Sequence, residues 1–141
     1  MSATHRLARL RALTPVQRRV LGEALVLLPA ACAGLKVAGM RRTRAMLSRV
    51  CAKGSAEGLD AAGIARLVAI AARHGPLRAR CLAASMTLET LLRRYGFDAQ
   101  LRLGVRRHEG RIEAHAWIEH EGGALMDAPG AATAFLPFDE R

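Results

Sequence analysis

The apolar positions of this chain follow two different periods. As far as Tyr95 they return every three or four residues, as on one side of a helix; from Phe97 onward they alternate with polar residues, as on a half-buried strand. Thr14-Pro15-Val16-Gln17 is a helix start, because Thr14 can cap, Pro15 stands where a missing N–H costs nothing, and Gln17 completes a capping box. That helix is predicted to reach about Leu28, where Pro29 bends or ends it. A second helical piece through Leu35, Met46 and Leu47 then continues to about Val50. Lys53 to Gly58 reads as a loop, and Asp60 caps a helix that carries Ile64, Leu67, Val68 and Ala71 on one side. His74-Gly75-Pro76 stops it, since Gly closes the last turn and Pro forbids continuation.

The next helix is predicted to begin near Ala79, so that Cys81 lies in its first turn. It holds Leu82, Met86, Leu88, Leu91, Leu92 and Tyr95, and Gly96 ends it. Phe97, Ala99, Leu101, Leu103 and Val105 then mark one face of a strand, His108-Glu109-Gly110 a turn, and Ile112, Ala114, Ala116 and Ile118 a second strand paired back on the first. Glu121-Gly122-Gly123 turns the chain into a shorter third strand through Leu125 and Asp127, and Pro129 and Pro137 keep the tail irregular. Helices followed by a small antiparallel sheet make an α+β fold in one domain, residues 1–141, with no repeat or low-complexity segment.

Composition narrows the picture. Aromatic residues make up only 4% against 51% hydrophobic, so the core must be built from Leu, Val, Ile and Ala. The formal charge of +10, from 22 Lys and Arg against 12 Asp and Glu, favours acidic partners or polyanions. Nucleic acid fits poorly, because the Arg residues are spread along the chain without a long run and aromatics for base stacking are scarce. Cys32, Cys51 and Cys81 include no CxxC pair, which suits a reducing, cytoplasmic setting. Val20 to Met40 is apolar, yet Glu23, Pro29, Gly34 and Lys36 interrupt it, so it reads as a buried helix or helix pair and not a membrane span. The first residues lack the pattern of a secretory signal.

Candidate chemistry centres on Cys81. A thiol at a helix N-terminus has its thiolate stabilised by the helix dipole and by unpaired N–H groups, and Arg78 and Arg80 add positive charge beside it. Cys32 and Cys51 sit inside helical patterns, as small buried hydrophobes do. Among the five His, His5, His74, His108 and His120 have ordinary positions in a basic tail, a helix end, a turn and a strand end. His115 shares its strand face with Trp117, a flat ring able to shield an imidazole from water, and could take the thiol proton if a third group fixes its tautomer. Asp127 is the candidate for that third group. If Glu121, Gly122 and Gly123 form a three-residue loop, His120 pairs with Ala124 and Trp117 with Asp127, which makes Asp127 a diagonal neighbour of His115. A two-residue loop would put it on the other face. No CxxC, HxxxH or HExxH supports a metal site, and no cofactor-binding motif is present.

Three stretches carry a resemblance: Pro76 to Leu82 around the cysteine, Leu91 to Val105 across the helix end and first strand, and Ala114-His115-Ala116-Trp117-Ile118-Glu119. Together they resemble the transglutaminase-like leader peptidases of lasso peptide biosynthesis, in the discrete form without a fused leader-binding domain. Leu77 stands where that family usually has Trp. The resemblance implies a papain-like core over residues 58–141 behind a helical N-terminal region, 1–57, and a catalytic triad of Cys81, His115 and Asp127. It also implies a lasso precursor peptide as substrate, a separate leader-binding protein, and an ATP-dependent macrolactam cyclase acting on the product. Two alternatives stand beside it: amide transfer by the same triad, and a basic, non-enzymatic binding module for nucleic acid or acidic protein in which Cys81 is inert.

Overall fold

The computed structural model describes residues 3–50, 53–55, 57–74, 81–125 and 136–137. Five helices are described: α1 (Ala3–Arg11), α2 (Pro15–Val37), α3 (Gly39–Val50), α4 (Ala61–His74) and α5 (Cys81–Arg94). Strands β1 (Gln100–His108), β2 (Arg111–His120), β3 (Gly123–Leu125) and β4 (Leu136–Pro137) form one antiparallel sheet in the order β3-β2-β1-β4. The fold is α+β, as the change of period predicts.

The caps operate as their residues dictate. Thr14 and Gln17 exchange side-chain to backbone hydrogen bonds in a full capping box at the start of α2. The Asp60 carboxylate accepts the Gly63 N–H at 2.7 Å ahead of α4. At the end of α5, Gly96 takes φ +84° while the Gly96 N–H bonds Arg93 and the Phe97 N–H bonds Leu92, a Schellman closure.

Pro29 does not end its helix. α2 runs through it for 23 residues, because Val20, Leu21, Ala24, Leu27 and Leu28 before it and Ala31 after it are all buried on one side. That burial outweighs the roughly 3 kcal/mol cost of an interior proline. α2 is long and apolar enough to cross a membrane by length and composition; here its buried side packs on α4 and α5. The basic N-terminal stretch, read as a tail, forms α1, none of whose residues is buried. Leu136–Pro137, read as irregular, makes a short edge pairing with Gly104 and Val105, a position where proline costs the sheet nothing.

Ile64 and Val68 of α4, Met86, Leu88, Leu91 and Leu92 of α5, and Ile118 of β2 are fully buried and form the centre of the core. Ala116 and Ile118 of β2, with Leu101 and Leu103 of β1, face the helices. α5 is therefore the central helix, packed between α2, α4 and the sheet. Its one acid, Glu89, is 4% exposed and is held by Arg44 of α3 at 2.7 and 3.1 Å, by Arg93 at 3.2 Å and by the Leu101 N–H at 3.4 Å.

Tyr95, just beyond α5, donates its hydroxyl to Glu23 at 2.7 Å, with the Arg19 and Arg94 guanidinium groups over its ring. Burial, and then the Glu23 hydrogen bond, raises its phenol above the usual 10.0. The folded state thus holds this proton more tightly than the unfolded chain does. The contribution to stability is complete below about pH 10 and is lost as pH rises through the folded pKa. Unfolding measured across alkaline pH should show Tyr95→Phe declining less steeply than the wild type above about pH 10. Parallel curves would contradict this.

Candidate active site

Cys81 is the first residue of α5 and is exposed, at the helix end where the first N–H groups have no intrahelical acceptor. Its flanking residues Arg78 and Arg80 lie outside the described residues. Cys32 is half-buried against the core, as a small hydrophobe would be, and Cys51 is outside the described residues. Cys81 is thus the thiol presented to solvent among those described.

One turn along α5, Ser85 is buried and donates its hydroxyl to the Ala116 carbonyl at 3.1 Å. Ala116 follows His115 directly. The bond ties the helix, about 6 Å of rise from Cys81, to the stretch of β2 that bears the imidazole. Side chains alternate along β2, so His115 and Trp117 leave the strand on the face opposite Ala116 and Ile118. His115 is half-buried and stacks on the buried Trp117 ring, with centroids 6.1 Å apart and planes 19° apart. Opposite it in the register stands Gly104, which places no side chain beside the ring. Glu113 and Glu119, two and four residues from His115, are bound by Arg106 and Arg102, each at 2.7 Å. The helix that starts at Cys81 and the strand that bears His115 pack directly on each other.

The other histidines keep ordinary positions. His120 sets its Nδ1 on the Asp98 carbonyl and its ring edge-on to Phe97, while His108 is exposed beside Glu109. His74 ends α4 and His5 lies on α1.

The turn after β2 is not the three-residue loop expected. His120 pairs with Gly123 and Ile118 with Leu125, leaving Glu121 and Gly122 as a two-residue loop with φ +49° and +78°. Positive φ at both central residues is the type I′ requirement, and its twist matches that of the flanking strands. Glu109-Gly110 does the same between β1 and β2, with φ +49° and +76°. The register that placed Asp127 beside His115 is therefore not the one formed. Asp127 itself lies outside the described residues.

A family model described as transglutaminase-like superfamily matches residues 24–138, more than half of the chain. The chain belongs to the transglutaminase-like superfamily. No curated protein and no solved structure matches it. The superfamily includes cysteine proteases and transferases, so the match supports an activity of the cysteine peptidase or transferase type. The matched segment contains Cys81, Ser85, His115 and Asp127.

Ser85 was not singled out by its sequence. The signal was there, because a hydroxyl at a buried position of an apolar helix must find an acceptor, but the acceptor is 31 residues away and on a strand.

Proposed function

We propose that this protein is a cysteine peptidase that removes the leader from a ribosomally made lasso precursor peptide. The observation that carries the reading is Cys81, exposed at the start of a central helix that Ser85 bonds to the residue following His115, in a transglutaminase-like chain. His115 takes the thiol proton, and the Cys81 sulfur attacks the scissile carbonyl. The oxyanion is held by backbone N–H groups at the start of α5. His115 then returns the proton to the leaving amine, and water, activated by the same imidazole, breaks the thioester to release the free carboxylate and restore the thiol.

Asp127 is the third member of the triad by resemblance alone. Its role would be to fix the His115 tautomer and stabilise the imidazolium, so Asp127→Asn should lower turnover less than loss of Cys81 does, since an amide still positions a ring. Wild-type turnover by Asp127→Asn would leave Cys81 and His115 as a dyad. The same acyl-enzyme would serve amide transfer if an amine outcompeted water, a reading favoured by the transferases within the superfamily.

The partners are a separate leader-binding protein and, downstream, the ATP-dependent macrolactam cyclase, all in the cytoplasm. Purified alone, the protein should cleave precursor slowly, and the leader-binding protein should raise the rate by raising the local concentration of substrate. Mass spectrometry of the products, with and without that partner, tests the proposal. A cut between leader and core is expected; an intact precursor in the presence of the partner would overturn it.

A further inference from the structure

A cavity of about 480 Å³ opens between α3, the Lys53 segment and the C-terminal half of α5. Among the described residues its walls carry Arg41, Arg44, Lys53, Arg93 and Arg94 and one carboxylate, Glu89. Glu89 is already saturated: it holds Arg44 and Arg93 together and accepts the Leu101 N–H. It acts as a pin that sets two guanidinium groups against the cavity. Arg94 is paired with Glu23 at 3.3 Å. Arg41 and Lys53 are in no ion pair among the described residues, and both are exposed. Among the described residues, Arg41 and Lys53 therefore offer the cavity two exposed cations outside any ion pair, at a size suited to a few side chains.

The chemistry of the walls narrows the ligand. Ser48 and Thr90 donate their hydroxyls to the carbonyls of Ala45 and Met86, so recognition falls on the cations. No aromatic ring lines the cavity among the described residues, and nucleic acid without a stacking platform is poorly held. Carboxylates suit guanidinium forks. The lining residues of α5, Glu89 to Arg94, are about 12–20 Å along the helix from Cys81 by the helical rise. An extended peptide covers that span in about four to six residues.

We infer that this cavity docks an acidic segment of a peptide, whose Glu or Asp side chains stand at least about four residues from the bond being cut. The inference rests on the peptidase reading for the position of that bond, but docking itself can be measured without cleavage. The probe is fluorescein-labelled hexaglutamate, followed by fluorescence anisotropy with the full chain at low and moderate salt. Binding should weaken with salt, and hexaglutamine should not bind. Arg41→Glu/Lys53→Glu should weaken hexaglutamate binding by at least about ten-fold, while Arg9→Glu/Arg11→Glu on α1, with a similar change in net charge, should weaken it by less than about two-fold. Circular dichroism of both variants confirms their helices, and Arg41→Ala/Lys53→Ala should fall between. Equal weakening by the two reversals would overturn the site in favour of general surface charge. So would an oligothymidylate that binds about ten-fold tighter than hexaglutamate and is lost with the cavity variant alone, because the site would then be one for phosphates. If hexaglutamate binds as expected and the precursor stays uncut, the docking site stands and the peptidase reading falls.

Discussion

Cys81→Ala should abolish precursor cleavage and leave the helical circular dichroism unchanged. The thiol is exposed at the first residue of α5, so its removal opens no cavity in the core formed by Met86, Leu88, Leu91 and Leu92. In the proposed mechanism every covalent step passes through that sulfur, and loss of a nucleophile costs on the order of 10⁴-fold or more. Cys81→Ser should also be nearly inactive despite its similar size, because a hydroxyl is far harder to deprotonate than a thiol. Cleavage at wild-type rate by Cys81→Ala would assign the chemistry to some other group. A variant that lost both cleavage and helical signal would instead show that the residue is structural.

The largest loss of stability from a single polar substitution is expected at Glu89. The Glu89 side chain is 6% exposed and the Arg44 side chain 28%, so truncation to Ala removes the two-point acceptor of a partly buried guanidinium, leaves the Leu101 N–H without that acceptor and breaks the Arg93 pair. Breaking a buried pair costs about 3–5 kcal/mol; partial exposure of both Arg partners reduces the expectation for Glu89→Ala to about 2–4 kcal/mol. Glu89→Gln should cost less, since its carbonyl can still accept one of these donors. Urea unfolding would show a lower midpoint at unchanged slope. A shift below about 0.5 kcal/mol would mean that the network is a surface arrangement of little energetic weight. The network matters for the proposed function because it anchors α5 to both α3 and β1, and α5 carries the proposed nucleophile.

Features encoded within a few residues were legible in the sequence. Thr14 with Gln17, Asp60 with Gly63, and Gly96 after Arg94 each specify a helix end by local hydrogen bonding, and each end forms as its residues imply. The alternation from Phe97 also gave the two long strands and the shared face of His115 and Trp117. Features decided by partners far along the chain were not legible. Pro29 reads locally as a break, yet the buried stripe on either side of it carries the helix through. The Arg44 to Glu89 pair spans 45 residues and the Ser85 to Ala116 bond spans 31, so neither has a sequence spacing to betray it. The loop before β3 shows how narrow such a reading can be. Three consecutive residues, Glu121-Gly122-Gly123, permit a two-residue or a three-residue hairpin, and one residue of difference reverses which side chains share a face.

The most direct measurement of the central claim is the rate at which a limiting thiol alkylator labels each cysteine near pH 7, read by peptide mapping. Exposure alone would favour Cys81 over the half-buried Cys32, so the comparison must also be made with the same protein unfolded in urea. If the start of α5 and His115 activate the sulfur, Cys81 is labelled first and reacts faster in the folded protein than in the unfolded one, and His115→Ala removes that excess. A folded Cys81 that reacts no faster than the unfolded thiol, or labelling of Cys32 ahead of it, would contradict the account.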